Sequence, residues 1–289
     1  MKILLAGIFF VCLNTFTGSS FDAITKYLSI NNYKWYHYYS IGGTAAIILF
    51  LIFLNFIGGI KKHLILQKPN HYFLPILRGF TFIPVLLIVF FSLKYIPINI
   101  FTMLLMTSPF FLLICAKFVL NEKLNFTSWI AIIIGFSGVI IVLRPIMSNF
   151  NVFLFLVIFV AIYNAFNFTI VSKYSHIATS YGFTFYHYVP FTLFSYVFFI
   201  FDPLMPSKNE LILFISSGIL VMISMWAWTA AYHLAGKYSS IISPFFFTQI
   251  IWASIFGKIF FGEAFDTIAV IGIIVIVISG TVAIYNRNK

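Results

Sequence analysis

Ten apolar runs, beginning near Ile3, Tyr36, Phe73, Ile98, Trp129, Val152, Phe183, Leu211, Ile241 and Ile268, occupy most of this 289-residue chain. Each is about the 20 residues that a helix needs to cross ~30 Å of hydrocarbon. With about 29 residues per run, about nine remain for each connection, too few for a catalytic or nucleotide-binding domain in water. Hydrophobic residues make up 62% of the chain and charged residues 8%, against about 45–50% and 25% in soluble domains. Apolar surface on that scale cannot be hidden from water, so lipid is the expected solvent. The runs are too long for the alternating strands of a membrane barrel, and unpaired backbone cannot face lipid, which leaves helices. The expected fold is an all-α membrane protein: one polytopic domain over residues 1–289 with ten transmembrane helices.

The chain also reads twice, its first five runs recurring in order in the second five at offsets of roughly 140 to 150 residues. Thr25-Lys26-Tyr27 returns as Ser172-Lys173-Tyr174, and Trp35-Tyr36-His37-Tyr38 as Phe185-Tyr186-His187-Tyr188. Asn121-Glu122-Lys123, followed by a run ending Ser137-Gly138-Val139, is answered by Gly262-Glu263-Ala264 and a run ending Ser279-Gly280-Thr281. Five is odd, so the second unit must lie the opposite way up. Two inverted five-helix repeats, 1–146 and 147–289, are expected, an arrangement that recurs in secondary transporters with the substrate site at the repeat interface. Lys2, the first run and Thr17-Gly18-Ser19-Ser20 also fit a cleaved signal peptide. Its counterpart in the helix ending at Lys173 argues that the segment is retained, since cleavage would leave the first repeat one helix short. Cys12 and Cys115 lie in apolar runs without CxxC or His spacing, so neither metal nor disulfide is expected of them.

The net charge of +11 would suggest nucleic acid in a soluble protein, but here the bases sit at helix ends and are read by side. With both termini cytoplasmic, eleven of the 17 basic residues fall on that face, many of them around Lys61-Lys62-His63 and Lys68. Lys26, Lys34, Lys94, Arg144, Lys208 and Lys258 fall on the other. The expected location is a bacterial inner membrane, with the bilayer and a small-molecule solute as partners and no nucleic acid. A homodimer is left open.

Leu77-Arg78-Gly79, Phe90 to Pro97, Ser108-Pro109-Phe110, Leu120-Asn121-Glu122-Lys123-Leu124 and Gly135-Phe136-Ser137-Gly138-Val139 to Arg144-Pro145 carry a family likeness. In that order and spacing the chain resembles an EamA-type member of the drug/metabolite transporter superfamily. Ala231 through Pro244 and Phe261-Gly262-Glu263 is similar to the same pattern in the second half. Two positions depart from it: Asn121 stands where the family has glycine, and the second helix offers His37 in place of an arginine near its start. Ser20-Phe21-Asp22-Ala23 with Lys26-Tyr27 resembles the branch that includes S-adenosylmethionine uptake carriers. The resemblance implies a ten-helix carrier with a central cavity between its halves, working by alternating access without a cofactor, and it draws attention to Arg78. No GxxxxGK[ST], HExxH or GxSxG occurs, so the chain lacks the phosphate cradle, zinc pair and nucleophile elbow of the commoner hydrolases. No metal is expected.

Ionisable residues within spans carry whatever chemistry exists, because an Asp or Lys at the bilayer centre costs about 2.5–3.5 kcal/mol on insertion scales. Asp22 and Lys26, four apart, share a helical face and could neutralise each other. Alternatively Asp22 faces the cavity, where it would bind a cationic amine or relay a proton. His37 and His187 occupy matching places and titrate near neutral pH, which suits proton coupling, although both are expected near helix ends among tyrosines, as in an aromatic belt. Tyr163, Asn164 and Asn167 form one stripe, which either glues helices together or lines the cavity. Trp226, Trp228, Tyr232, His233 and Trp252 form an aromatic-rich face whose rings could attract a cation. Glu122 and Glu263 are expected to cap or pair at opposite membrane faces rather than to couple ions. Pro84, Pro109, Pro190 and Pro244 are expected to bend spans.

The resulting expectation is a secondary carrier for a small amino-acid-like or amine-bearing metabolite, S-adenosylmethionine among the candidates. A multidrug or lipid-intermediate translocator is the rival within the class. A membrane-embedded enzyme and a non-transporting membrane subunit are the rivals outside it.

Overall fold

The computed structural model describes residues 2–119, 126–143, 151–235 and 243–263, and beyond them 270–271, 274–275, 277–279 and 282. Helices run over Lys2–Ile30 (α1), Trp35–Phe56 (α2), Ile60–Leu64 (α3), Phe73–Tyr95 (α4), Ile98–Leu105 (α5), Ser108–Val119 (α6), Phe126–Leu143 (α7), Val152–Lys173 (α8), Ser180–Phe199 (α9), Lys208–Ala235 (α10) and Thr248–Phe261 (α11). No strand occurs among the described residues. Among the described residues, six segments are long and apolar enough to cross a membrane: Lys2–Ile30, Trp35–Phe56, Pro69–Tyr95, Ile98–Val119, Val152–Lys173 and Lys208–Leu234. The expected start at Ile241, and most of the last expected span, lie outside the described residues.

Local chemistry sets the helix ends. The Asn151 side chain accepts from the Phe153 amide to open α8, and Thr179 accepts from the Gly182 amide to open α9. Ser207 and Glu210 exchange side-chain to backbone hydrogen bonds ahead of α10. Proline forces its predecessor out of helical backbone, and Ile96, before Pro97, is extended and ends α4. Gly262 takes the left-handed conformation that closes α11.

Two of the four prolines differ from expectation. Pro84 and Pro190 lie inside α4 and α9. Pro109 stands in the first turn of α6, where the missing amide costs nothing, and the span is broken ahead of it at Met106-Thr107. Pro244 lies in a 3-10 turn, Ser243–Phe247, that leads into α11.

Buried side chains form two clusters. One joins α1, α4, α5, α6, α8, α10 and α11 around Val89, Phe101, Phe110 and Val157; the other joins α1, α2, α4, α9 and α10 around Leu28, Tyr38, Tyr188 and Phe214. The outside is apolar as well. Phe56, Phe118, Phe126, Phe159 and Ile259 are all at least half exposed, a surface that water would not tolerate and lipid does. Inside, small residues let backbones meet. A Cβ added at Gly218 of α10 would stand 2.0 Å from the carbonyl oxygen of Gly42 on α2, and one at Gly42 would stand 2.0 Å from that of Phe214. Gly218→Ala must therefore push α2 and α10 apart. It is expected to cost about 1–3 kcal/mol or more, seen as a lower melting temperature of the detergent-purified protein.

Candidate functional site

Residues from eight helices converge on one cavity of about 200 Å³. The geometry of each stripe follows from the 3.6-residue repeat. Asn14, Gly18 and Asp22 succeed one another at four-residue steps on α1; Arg78, Phe82, Val85, Leu86 and Val89 recur at spacings of three and four on α4, as do Val160, Tyr163, Asn164, Asn167 and Phe168 on α8. Phe183, Thr184 and His187 come from α9, and Val221, Ser224, Met225, Trp228, Thr229 and Tyr232 from α10. Phe101 and Leu105 of α5, Leu112 of α6, Phe246 and Gln249 complete the wall.

Asp22 is 6% exposed and is the one carboxyl among the described lining residues. Its expected partner has gone elsewhere. Lys26 turns away to form an ion pair of 2.7 Å with Glu263, donates to the Ile96 carbonyl at 2.9 Å and lies 5.2 Å from the Phe261 ring centre. Asp22 is left beside Gln249, a neutral hydrogen-bonding neighbour. Asn14 secures the α1–α10 seam through two hydrogen bonds of 2.9 Å to the Ser224 carbonyl and hydroxyl.

Arg78, 7% exposed, is the one guanidinium among the described lining residues. Its Nε donates to Asn167 Oδ1 at 2.8 Å, and its Cζ lies 5.6 Å from the Phe183 ring centre. Asn167 in turn donates to the Tyr163 carbonyl, while the Tyr163 hydroxyl bonds Thr81 at 2.9 Å and donates to the Arg78 carbonyl at 3.2 Å. Three buried nitrogens of the lining have no partner among the described residues: Arg78 Nη1, His187 Nδ1 and Trp228 Nε1. Phe168, Trp228, Tyr232 and Phe246 form an aromatic box, with Tyr232 and Phe246 stacked at 6.0 Å and Phe168 4.0 Å from Trp228.

The structure brings together Asp22, Arg78, Tyr163, Asn164, Asn167, His187, Trp228 and Tyr232, and sets Lys26, His37, His233 and Trp252 apart from them. His187 is not at a helix end, as its spacing suggested, but two turns inside α9. His37 does sit at one, its Nε2 3.0 Å from the Asp202 carbonyl and 3.4 Å from its carboxylate. The Tyr36 hydroxyl donates to Asp202 at 2.7 Å. That bond, together with His37 and Lys34 nearby, holds the Asp202 carboxyl below its usual range. The cluster therefore persists as pH falls through the ordinary carboxylate range and is lost below it. His233 meets the Ser175 carbonyl at 3.2 Å, and Trp252 packs edge-on against Phe16. Trp226, two residues from Trp228 and so about 200° away around the helix, stacks on Tyr181 instead.

Asn14, Ser224, Thr229, Gln249, Phe168 and Phe246 were not anticipated. Asn14 had a signal: it lies on the Gly18 and Asp22 stripe, and an amide in an apolar helix is expected to face the interior.

Residues 5–144 match the EamA-like transporter family. The S-adenosylmethionine uptake transporter of Rickettsia prowazekii (strain Madrid E) is 24% identical over 292 residues, spanning 100% of this chain and 96% of its own. The riboflavin transporter of Vibrio cholerae serotype O1 (strain ATCC 39315 / El Tor Inaba N16961) is 28% identical over 219 residues, 75% of this chain and 72% of its own. A crystal structure of a further protein superposes with a TM-score of 0.68 at 14% identity, covering 100% of this chain and 99% of that one, a likeness of fold alone.

Proposed function

We propose that the solute of this chain, which is a multi-pass membrane carrier of small metabolites rather than an enzyme and whose residues 5–144 match the EamA-like transporter family, is S-adenosylmethionine or a close cationic relative, taken inward. The observation that carries this reading is Asp22: a buried carboxyl in the wall of an apolar cavity, its neighbouring lysine committed to another acid. A lone carboxyl there favours a cation, and the aromatic box adds π faces for a sulfonium, an ammonium or a stacked adenine. Riboflavin would also stack in the box, but it is neutral and offers Asp22 hydrogen-bond donors and no cation.

In this reading the protein works by alternating access between two inverted repeats, 1–146 and 147–289, of five spans each. The packing supports it. α1 packs on α10 and α11, as α8, its counterpart, packs on α4 and on α5–α6. α4 packs on α9 as α10 packs on α2. The matched lysines behave alike: Lys26 reaches the end of α11, and Lys173 donates to the Val119 carbonyl at the end of α6. The inner membrane and cytoplasmic termini complete the proposal. Groups assigned to one side keep company, Lys94 with Asn32 on one face and Thr179 with the His63 carbonyl on the other.

The test is uptake of radiolabelled S-adenosylmethionine and of riboflavin into proteoliposomes holding the purified chain, with and without an imposed pH gradient. Saturable S-adenosylmethionine uptake that excess riboflavin does not inhibit is expected. Riboflavin uptake without S-adenosylmethionine uptake, or uptake of neither by folded protein in tight vesicles, overturns the assignment.

A further inference from the structure

We infer that Arg78, seconded by His187, forms a carboxylate subsite in this cavity, separate from Asp22, so that the carrier grips its solute at two opposite charges. The inference rests on the cavity being the solute site. A guanidinium inside a membrane span is costly unless it is paired, and among the described residues no carboxylate reaches Arg78. Its neighbours are neutral or aromatic. Asn167 takes the Nε edge and Phe183 packs against the plane, which fixes the fork and leaves Nη1 without a partner. His187 stands within electrostatic reach of Arg78, and its Nδ1 also lacks a partner. The crossing of α4 and α9 holds the two residues in register. A Cβ at Gly79 would stand 2.7 Å from the His187 carbonyl oxygen, so the backbones cannot slide past each other freely.

The missing partner is therefore an anion that enters with the solute. Guanidinium forks match carboxylates in geometry as well as charge, and one such cation among the described lining residues suits a monoanion better than a phosphate. Asp22 has different neighbours, with Gln249 on one side and Tyr38 and Tyr39 near it, and no ion pair joins it to Arg78. An α-amino acid end needs both: a cationic group for Asp22 and a carboxylate for Arg78.

The experiment compares solutes that differ by the carboxylate alone: S-adenosylmethionine with its decarboxylated form, methionine with 3-(methylthio)propylamine, and lysine with cadaverine. Binding to the detergent-purified full chain is measured by isothermal titration for wild type, Arg78→Gln and Arg78→Lys. In wild type the carboxylate-bearing member of whichever pair binds should be tighter by at least about tenfold, the range of one charge-assisted hydrogen bond. Arg78→Gln should bring that ratio close to one, and Arg78→Lys should leave an intermediate ratio. Equal binding of both members by wild type overturns the subsite, as does a ratio that survives in Arg78→Gln. If Arg78→Gln does not fold, a wild-type ratio left whole in Arg78→Lys overturns the fork geometry. Equal binding that varies with chloride would mean that Arg78 holds a free anion, which also sinks the proposal. Failure of S-adenosylmethionine with success of methionine or lysine removes the solute assignment and keeps the subsite. Binding of no carboxylate member removes both.

Discussion

Glu263→Gln is expected to destabilise the protein by about 3–5 kcal/mol, the range found when one member of a buried ion pair is removed. Glu263 and Lys26 are 2.7 Å apart, with side chains 11% and 9% exposed. The pair also organises backbone. Glu263 Oε1 accepts from the Ile98 amide at 3.0 Å, and Oε2 is 3.4 Å from the Asn99 amide, so the acid neutralises the first turn of α5 while holding α1 to the end of α11. Glutamine can keep an amide hydrogen bond, but it leaves the Lys26 ammonium with the Ile96 carbonyl and the Phe261 ring. Lys26→Met should cost less than Glu263→Met, because the carboxylate it strands still has two amide donors. The Lys26→Met, Glu263→Gln double variant should lose less than the sum of the singles, since neither charge is then left alone. Melting temperatures of the four purified proteins decide this, and strict additivity would show that the two residues act independently.

This pair marks where sequence reasoning reached its limit. A spacing of four put Asp22 and Lys26 on one face, which is sound helix geometry, but it says nothing about a competing acid from the far end of the chain. Six of the helical segments were legible because each is an apolar run long enough to cross a bilayer, and they begin within a few residues of the expected positions. The break at Met106-Thr107 was not legible: Pro109 pointed to it from the wrong side. Histidine depth failed for a related reason. α9 starts at Ser180, ahead of the apolar run, and this carries His187 from the membrane edge into the cavity. The aromatic face was divisible in principle, since Trp226 and Trp228 cannot share a side of one helix. What no one-dimensional pattern could give is the unpartnered Arg78 Nη1, because a missing partner is a property of everything packed around it.

Asp22→Asn is expected to lower S-adenosylmethionine uptake by at least about 30-fold, the lower end of the 2–5 kcal/mol lost when one member of a desolvated charge pair is neutralised. The substitution keeps the shape of the side chain and its hydrogen bond with Gln249, so the fold should survive. Melting temperature should hold or rise slightly, because the apo protein no longer carries a buried carboxyl without a cationic partner. Loss of transport without loss of stability is the signature of a group on the transport path, and it is opposite to that expected of Glu263→Gln, where stability falls first. Asp22→Glu should retain part of the activity, since it keeps the charge while moving it by one methylene. Wild-type uptake by a folded Asp22→Asn protein would move the cation to the aromatic box. Trp228→Leu, which removes a π face without touching any charge, would then be the variant that abolishes uptake.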